Sequence, residues 1–361
     1  MKINVSRTTH AGAFRTLKVD CYRHTPPSTG AVIMATAFIE NGYWYQIEKK
    51  GYSLARNVAQ EGFDVYVLSF EPNLARLKKK HLPPDTSFRD IVCDLLPHFH
   101  KSVAETYQTI HYVGHSYGVT LLLAFLLGYE KQDAGFRPIE KKAHENQDKV
   151  RSFTSVAGLF KLAWPDTMPL LYEEGLRALS YPTMRGLLKV IPFAGLKRWT
   201  PIVPTSQFAW LRFAPSAWPM QRLLRIVEKA GMTPSFHFSN VDFEALQLGL
   251  SKGSSDETWE SFLTILGLVP EGERIRSVRS NALKTFTEDL RAFSLPILFL
   301  QGEYDQITHL DTIRKYGFEA VGSSVKNFVN LKNTGHQDIM ASRHPHVLFR
   351  EVRNWLLAES Q

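Results

Sequence analysis

Two stretches of this 361-residue chain carry a serine with a glycine two positions to either side, Gly114-His-Ser-Tyr-Gly118 and Gly249-Leu-Ser-Lys-Gly253. That spacing suits a nucleophile. A reactive serine must sit on a sharp turn so that its oxygen stands clear of the backbone, and the flanking glycines let a strand and a helix close up around it. Only the first stretch has the strand and the helix: the β-favouring run Ile110-His-Tyr-Val precedes it and the helix-like segment Val119 to Tyr129 follows. The same turn leaves the backbone N–H of Tyr117 at a helix N-terminus, aimed where an oxyanion would form. No β-run precedes Gly249, and Gly253-Ser-Ser-Asp256 after it reads as a loop leading to a new helix cap. Ser116, not Ser251, is the candidate nucleophile.

A serine hydroxyl needs a base to take its proton and an acid to orient that base. Asp305, in Gly302-Glu-Tyr-Asp305, follows the buried strand-like run Pro296 to Gln301. His336, in Asn333-Thr-Gly-His336, follows Val325 to Leu331. Both fall at strand ends, where segments far apart in sequence can meet. Glu303 and Asp311 compete with Asp305, and His309, His344 and His346 lie near His336. The chemistry these residue types support is attack on an ester or thioester carbonyl.

The elements that must position them alternate. Phe14 to Tyr22 reads as a strand and Thr25-Pro-Pro-Ser-Thr-Gly30 as a turn. Ala31 to Phe38 is a buried strand, followed by the aromatic loop Asn41-Gly-Tyr-Trp-Tyr45. Ser53 to Gln60 is helical with Leu54, Ala55, Val58 and Ala59 on one face, and Asp64 to Phe70 is the next strand. From Ser87 to Tyr107 the apolar residues Phe88, Ile91, Val92, Leu95, Phe99, Val103 and Tyr107 form a helical stripe. After the nucleophile segment comes the strand Val150 to Val156, and the chain closes with a helix from Pro345 to Leu357. The alternation predicts an α/β fold, a mainly parallel sheet with helices on both faces.

Between residues 160 and 291 the alternation stops for roughly 130 residues, well beyond an ordinary connection. The stretch reads as mostly helical and irregular, and it is rich in proline and aromatics, including Trp164, Trp199, Trp210, Trp218, Phe193, Phe208, Phe213, Phe236 and Phe238. It leaves and re-enters between two sheet strands. This predicts a cap inserted over the catalytic face, dividing the core into residues 1–159 and 292–361.

Composition excludes several classes. With 44% hydrophobic residues the chain can bury a sizeable core, and its two cysteines, Cys21 and Cys93, do not make a disulfide framework. The first ten residues hold no apolar signal region, and the longest apolar run, Val119 to Gly128, is far short of the roughly 20 residues of a membrane span. A soluble, cytoplasmic protein is the expectation. The net charge of +8 suits either a solvated basic surface or an anionic, carrier-bound substrate; Lys78-Lys79-Lys80 and Lys141-Lys142 sit in loop-like stretches. No zinc-ligand spacing, phosphate-binding glycine loop or RNA-recognition signature is present, so no metal, cofactor or nucleic-acid partner is expected.

The order Ser116, Asp305, His336 and their strand-end positions resemble the α/β-hydrolase superfamily, over the chain outside the insertion. Within it, Tyr52 to Phe70 is similar to acid lipases and polyhydroxyalkanoate synthases, which share a helix, a glycine and an aspartate-led strand there. The synthases use a cysteine where this chain has Ser116, which points away from polymerisation. Acid lipases carry His-Gly where this chain has Thr36-Ala37. The resemblance implies that the backbone N–H of Phe38 is the second oxyanion donor, a role that needs no particular side chain. The expected activity is a serine hydrolase acting on an ester or thioester of a largely apolar acyl group. Acyl transfer to an alcohol or amine, including cyclisation, is the alternative. A non-catalytic hydrolase-fold receptor is the third reading.

Overall fold

The computed structural model describes residues 2–13, 15–25, 28–37, 40–72, 86–132, 135–160, 237–253, 268–271, 274–277 and 289–361. Strands β1 (Lys2–Ala11), β2 (Arg15–Thr25), β3 (Gly30–Ala35), β4 (Phe63–Pro72) and β5 (Ile110–His115) come first. A small hairpin, β6 (Tyr129–Gln132) and β7 (Gly135–Pro138), precedes β8 (Val150–Val156). A second short pair, β9 (Leu268–Glu271) and β10 (Arg274–Ser277), precedes β11 (Ile297–Gly302) and β12 (Lys326–Leu331). Eight strands form one sheet in the order β1-β2-β4-β3-β5-β8-β11-β12. The pairs β1–β2 and β2–β4 are antiparallel; every pairing from β4 to β12 is parallel.

The central strands are apolar on both faces because both faces are covered, and β3, β5 and β11 are buried along their whole length. On one side Ile33, Tyr112, Phe153 and Phe299 meet Phe99, Leu122 and Phe125 from the helices 86–106 and Tyr117–Leu126. On the other, Val32, Met34, Val113 and Leu298 meet Val58 of helix Leu54–Gln60 and Leu348 and Val352 of helix Pro345–Ala358. Ser53 caps the first of these by accepting from Arg56 N–H at 3.1 Å. Pro345 starts the second, where its missing N–H costs nothing.

Three features depart from the sequence expectation. First, β1 extends the sheet beyond the expected first strand. Its residues are mostly exposed, so its ladder to β2, rather than an apolar period, holds it. Second, Lys141 and Lys142 are not in a loop: they lie on helix Glu140–Gln147, which buries no residue and so shows no apolar stripe. Lys78, Lys79 and Lys80 lie outside the described residues. Third, helix Phe243–Gly253, inside the expected insertion, packs on the sheet core. Its residues Ala245 and Leu246, with Phe238 and Val241 before it, share a cluster with Trp44 and Met340, and Val241 bridges to Ser342. Residues 161–236, with most of the aromatics assigned to the cap, lie outside the described residues. Among those described, no helix is long and apolar enough to cross a membrane.

Candidate active site

β5 runs straight into Ser116, whose backbone takes φ 52° and ψ −116°, and helix Tyr117–Leu126 begins at the next residue. A non-glycine residue at such an angle costs on the order of 1–3 kcal/mol and persists only where its surroundings hold it. Here they do: Ser116 N–H donates to Val156 O at 2.9 Å, and Ser116 O accepts from Val119 N–H and Leu159 N–H, both at 3.1 Å. The two motif glycines are steric necessities. A Cβ at Gly114 would stand 2.8 Å from the nitrogen of Val119, and one at Gly118 would stand 2.6 Å from the carbonyl oxygen of Thr36. Gly118 thus seats the start of the helix against the end of β3. Ser251, by contrast, lies within helix Phe243–Gly253, where Gly249 and Gly253 press on the Trp44 indole. That second glycine spacing serves helix packing.

The C-terminal ends of β11 and β12 bring Asp305 and His336 to the serine. The Ser116 hydroxyl donates to His336 Nε2 at 2.8 Å, and His336 Nδ1–H donates to Asp305 Oδ2 at 2.8 Å. All three residues are buried. Asp305 Oδ2 also accepts from Gln301 Nε2 at 2.8 Å and the Thr308 hydroxyl at 2.7 Å, while Oδ1 accepts from the N–H groups of Ile307 (2.9 Å) and Thr308 (2.8 Å). Burial by itself would raise the Asp305 carboxyl; the positive charge of His336 and these donors hold it below the usual carboxylate range. Burial by itself would lower His336, but Asp305 above all, then Glu40 and Asp338, lift it above the ordinary imidazole value. The arrangement can remove a proton from the serine and stabilise the imidazolium that results.

The competitors are elsewhere. Glu303 is tied to Lys332 Nζ (2.9 Å) and Asn333 N–H (3.1 Å), and Asp311 pairs with His309 at the surface. His344 and His346 are exposed beside the start of the last helix. Of the oxyanion donors expected, Tyr117 opens the helix directly after the serine. Phe38 lies outside the described residues, and Ala37 before it gives its N–H to Glu40 Oε2 at 3.2 Å.

Sequence reasoning missed two carboxylates at this rim. Asp338 is fully buried; it accepts from Gly335 N–H at 2.9 Å and from His237 N–H at 3.0 Å, joining the His336 loop to the segment that leads into helix Phe243–Gly253. Burial pushes its carboxyl up to about 6, against those backbone donors. Glu40 accepts from His115 Nδ1–H at 3.3 Å and, through its other oxygen, from the Gln337 amide. The only sequence cue was position, just after β3 for Glu40 and two residues past the histidine for Asp338.

No family model matches the sequence, and no curated protein matches it. Among solved structures the chain is similar to a monoacylglycerol lipase from Paleococcus ferrophilus, with 16% identity, 99% of this chain and 100% of that one covered, and a TM-score of 0.50. It is also similar to an esterase from Exiguobacterium antarcticum (12% identity, 96% and 100% covered, TM-score 0.52). A third is a bacterial membrane phospholipase A (12% identity, 98% and 86% covered, TM-score 0.52). Identities this low speak for the fold alone. The chain has the α/β-hydrolase fold.

Proposed function

We propose that the protein is a serine hydrolase cleaving an ester or thioester through an acyl-enzyme on Ser116. The observation that carries this is the unbroken hydrogen-bonded chain from Ser116 Oγ through His336 to Asp305, on a strained turn at the end of a parallel sheet. In the first half-reaction His336 Nε2 takes the Ser116 proton as Oγ bonds to the carbonyl carbon. The carbonyl oxygen becomes an oxyanion, received by the backbone N–H of Tyr117 and a second donor, for which Phe38 is the candidate. Collapse breaks the bond to the alcohol or thiol, which leaves with the proton from His336. In the second half, water attacks the acyl carbon with its proton passing to His336; the bond to Ser116 Oγ then breaks as His336 returns a proton to it, and the acid is released.

The acyl group is largely apolar in this reading, supported by the aromatic content of residues 160–291 acting as a cap over the site. The test is a fluorophosphonate reagent followed by peptide mapping, with intact-mass detection of the acyl-enzyme formed from a panel of esters. Label on Ser116 and a mass shift equal to the acyl group are expected. No label on the folded protein, or label on Ser251, overturns the reading.

A further inference from the structure

Glu40 and His115 take no proton in the scheme above, yet they touch both the nucleophile turn and the His336 loop. Their side chains are almost sealed from water, at 4% and 1% exposure. A carboxylate that deep is costly unless donors surround it. Its donors come from three segments: Ala37 N–H of the loop after β3 at 3.2 Å, His115 Nδ1–H at 3.3 Å, and the Gln337 side-chain amide. The turn around it is closed by Glu40 itself, whose N–H donates to Ala37 O at 3.3 Å and whose carbonyl accepts from the Thr36 hydroxyl at 3.4 Å.

His115 immediately precedes the nucleophile, and its Nε2 faces the backbone oxygen of His336 at 3.2 Å. The contacts therefore form a ring: Glu40 to His115, His115 to the His336 backbone, Gln337 back to Glu40. Both neighbours of the His115 ring are acceptors, so whichever ring nitrogen carries hydrogen has an oxygen in reach. Its ring lies 5.4 Å from that of His336, at an interplanar angle of 32°. Among the described residues, the carboxylates acting on His336 are Asp305, Glu40 and Asp338, and the ring of His115 packs beside it.

We propose that Glu40 and His115 are a positioning pair for this site, holding the β3 loop, the nucleophile turn and the His336 loop in register and setting the basicity of His336. This rests on the hydrolase reading. The carboxylate favours the imidazolium that forms when Ser116 loses its proton, and His115 ties it to the nucleophile turn. A pair that only filled space would leave the protonation of His336 unchanged.

The experiment is the pH profile of kcat/KM on an activated ester for wild type, Glu40→Gln and His115→Gln, with fluorophosphonate labelling of each. Glu40→Gln should lower the plateau by about tenfold to a hundredfold through lost register. It should also move the acidic limb to lower pH by about half a unit or more, because a negative charge near the base is gone. His115→Gln keeps that charge, so the limb should stay in place, but it loses the ring contact to the His336 backbone and should lower the plateau by about threefold or more. An acidic limb unmoved or raised in Glu40→Gln, with wild type labelled and active, overturns the inference and leaves the hydrolase reading standing. If Glu40→Gln does not fold, His115→Gln decides: a lowered plateau with the limb in place supports the pair and an unchanged profile overturns it. A folded wild type that takes no label and turns over no ester brings down both.

Discussion

His336 and His100 are almost equally cut off from water, yet their imidazoles are displaced in opposite directions. His100 sits on the flank of the sheet with Nδ1 against the Tyr112 hydroxyl at 2.7 Å, and His111 nearby has Ser152 Oγ at 2.8 Å and Ser360 Oγ at 2.9 Å. Burial pushes both down to about 4. At the rim, burial acts on His336 in the same sense and is overcome, chiefly by Asp305. A hydroxyl can partner either form of the ring, whereas a carboxylate favours the charged one. The difference teaches that burial does not make a base. The flank uses it to keep imidazole neutral as a packing element; the rim adds negative charge so that a buried imidazole can still accept a proton.

The largest effect that could break this comparison is on the rim. His336→Ala should lose about 10⁴-fold or more in kcat, and Asp305→Asn a loss of similar order, with the thermal midpoint near that of wild type. Glu303→Gln and Asp311→Asn should stay close to wild type, since neither carboxylate contacts His336. A fully active Asp305→Asn would take the acid out of the scheme.

Next in size is an effect on the flank. The folded-state values of His100 and His111 lie below the unfolded value near 6.5, so the unfolded chain binds protons first on acidification. Stability from these groups is complete above about pH 6.5 and is lost as pH falls through about 4. Each contributes about 3 kcal/mol at most over that window. Urea unfolding at pH 7 and at pH 4.5 should show the fall, and His100→Phe should flatten it without changing kcat at neutral pH. An unchanged slope in that variant would mean that the flank histidine titrates like an exposed one.

The smallest step sharpens what the rim faces. In a series of p-nitrophenyl esters, each added methylene buried from water should raise kcat/KM by close to fourfold, about 0.8 kcal/mol, until the pocket fills. A profile flat from acetyl onward would mean a small polar acyl group, or a residue 160–291 segment that does not reach the site.

Much of the sheet was legible in the chain because its signals are local. Leu54, Ala55, Val58 and Ala59 lie on the buried face that their spacing predicts, and β5, β8 and β11 form where the β-favouring runs before Ser116, at Val150 to Val156 and before Asp305 read as strands. β1 was not legible, since its exposed residues carry no period and its partner strand alone specifies it. Helix Phe243–Gly253 was read as part of the insertion because nothing local says that its glycines seat on Trp44.

At the site, the amino-acid order alone determined the tight turn at Ser116: glycine spacing, a strand before and a helix after are all contained within one short stretch. It also pointed to Asp305 and His336 after two strands as candidate acid and base, with Glu303, Asp311 and three nearby histidines as competitors. Only the tertiary structure shows Asp305, and not Glu303 or Asp311, in hydrogen-bond contact with His336, and only it brought Glu40 and His115 beside them. The partners concerned are far apart in the chain, 220 residues for His336 and Ser116, 75 for His115 and Glu40, and 297 for Gln337 and Glu40. A hydrogen bond depends on distance and direction in space. No spacing along the sequence encodes it until the ends of the strands converge.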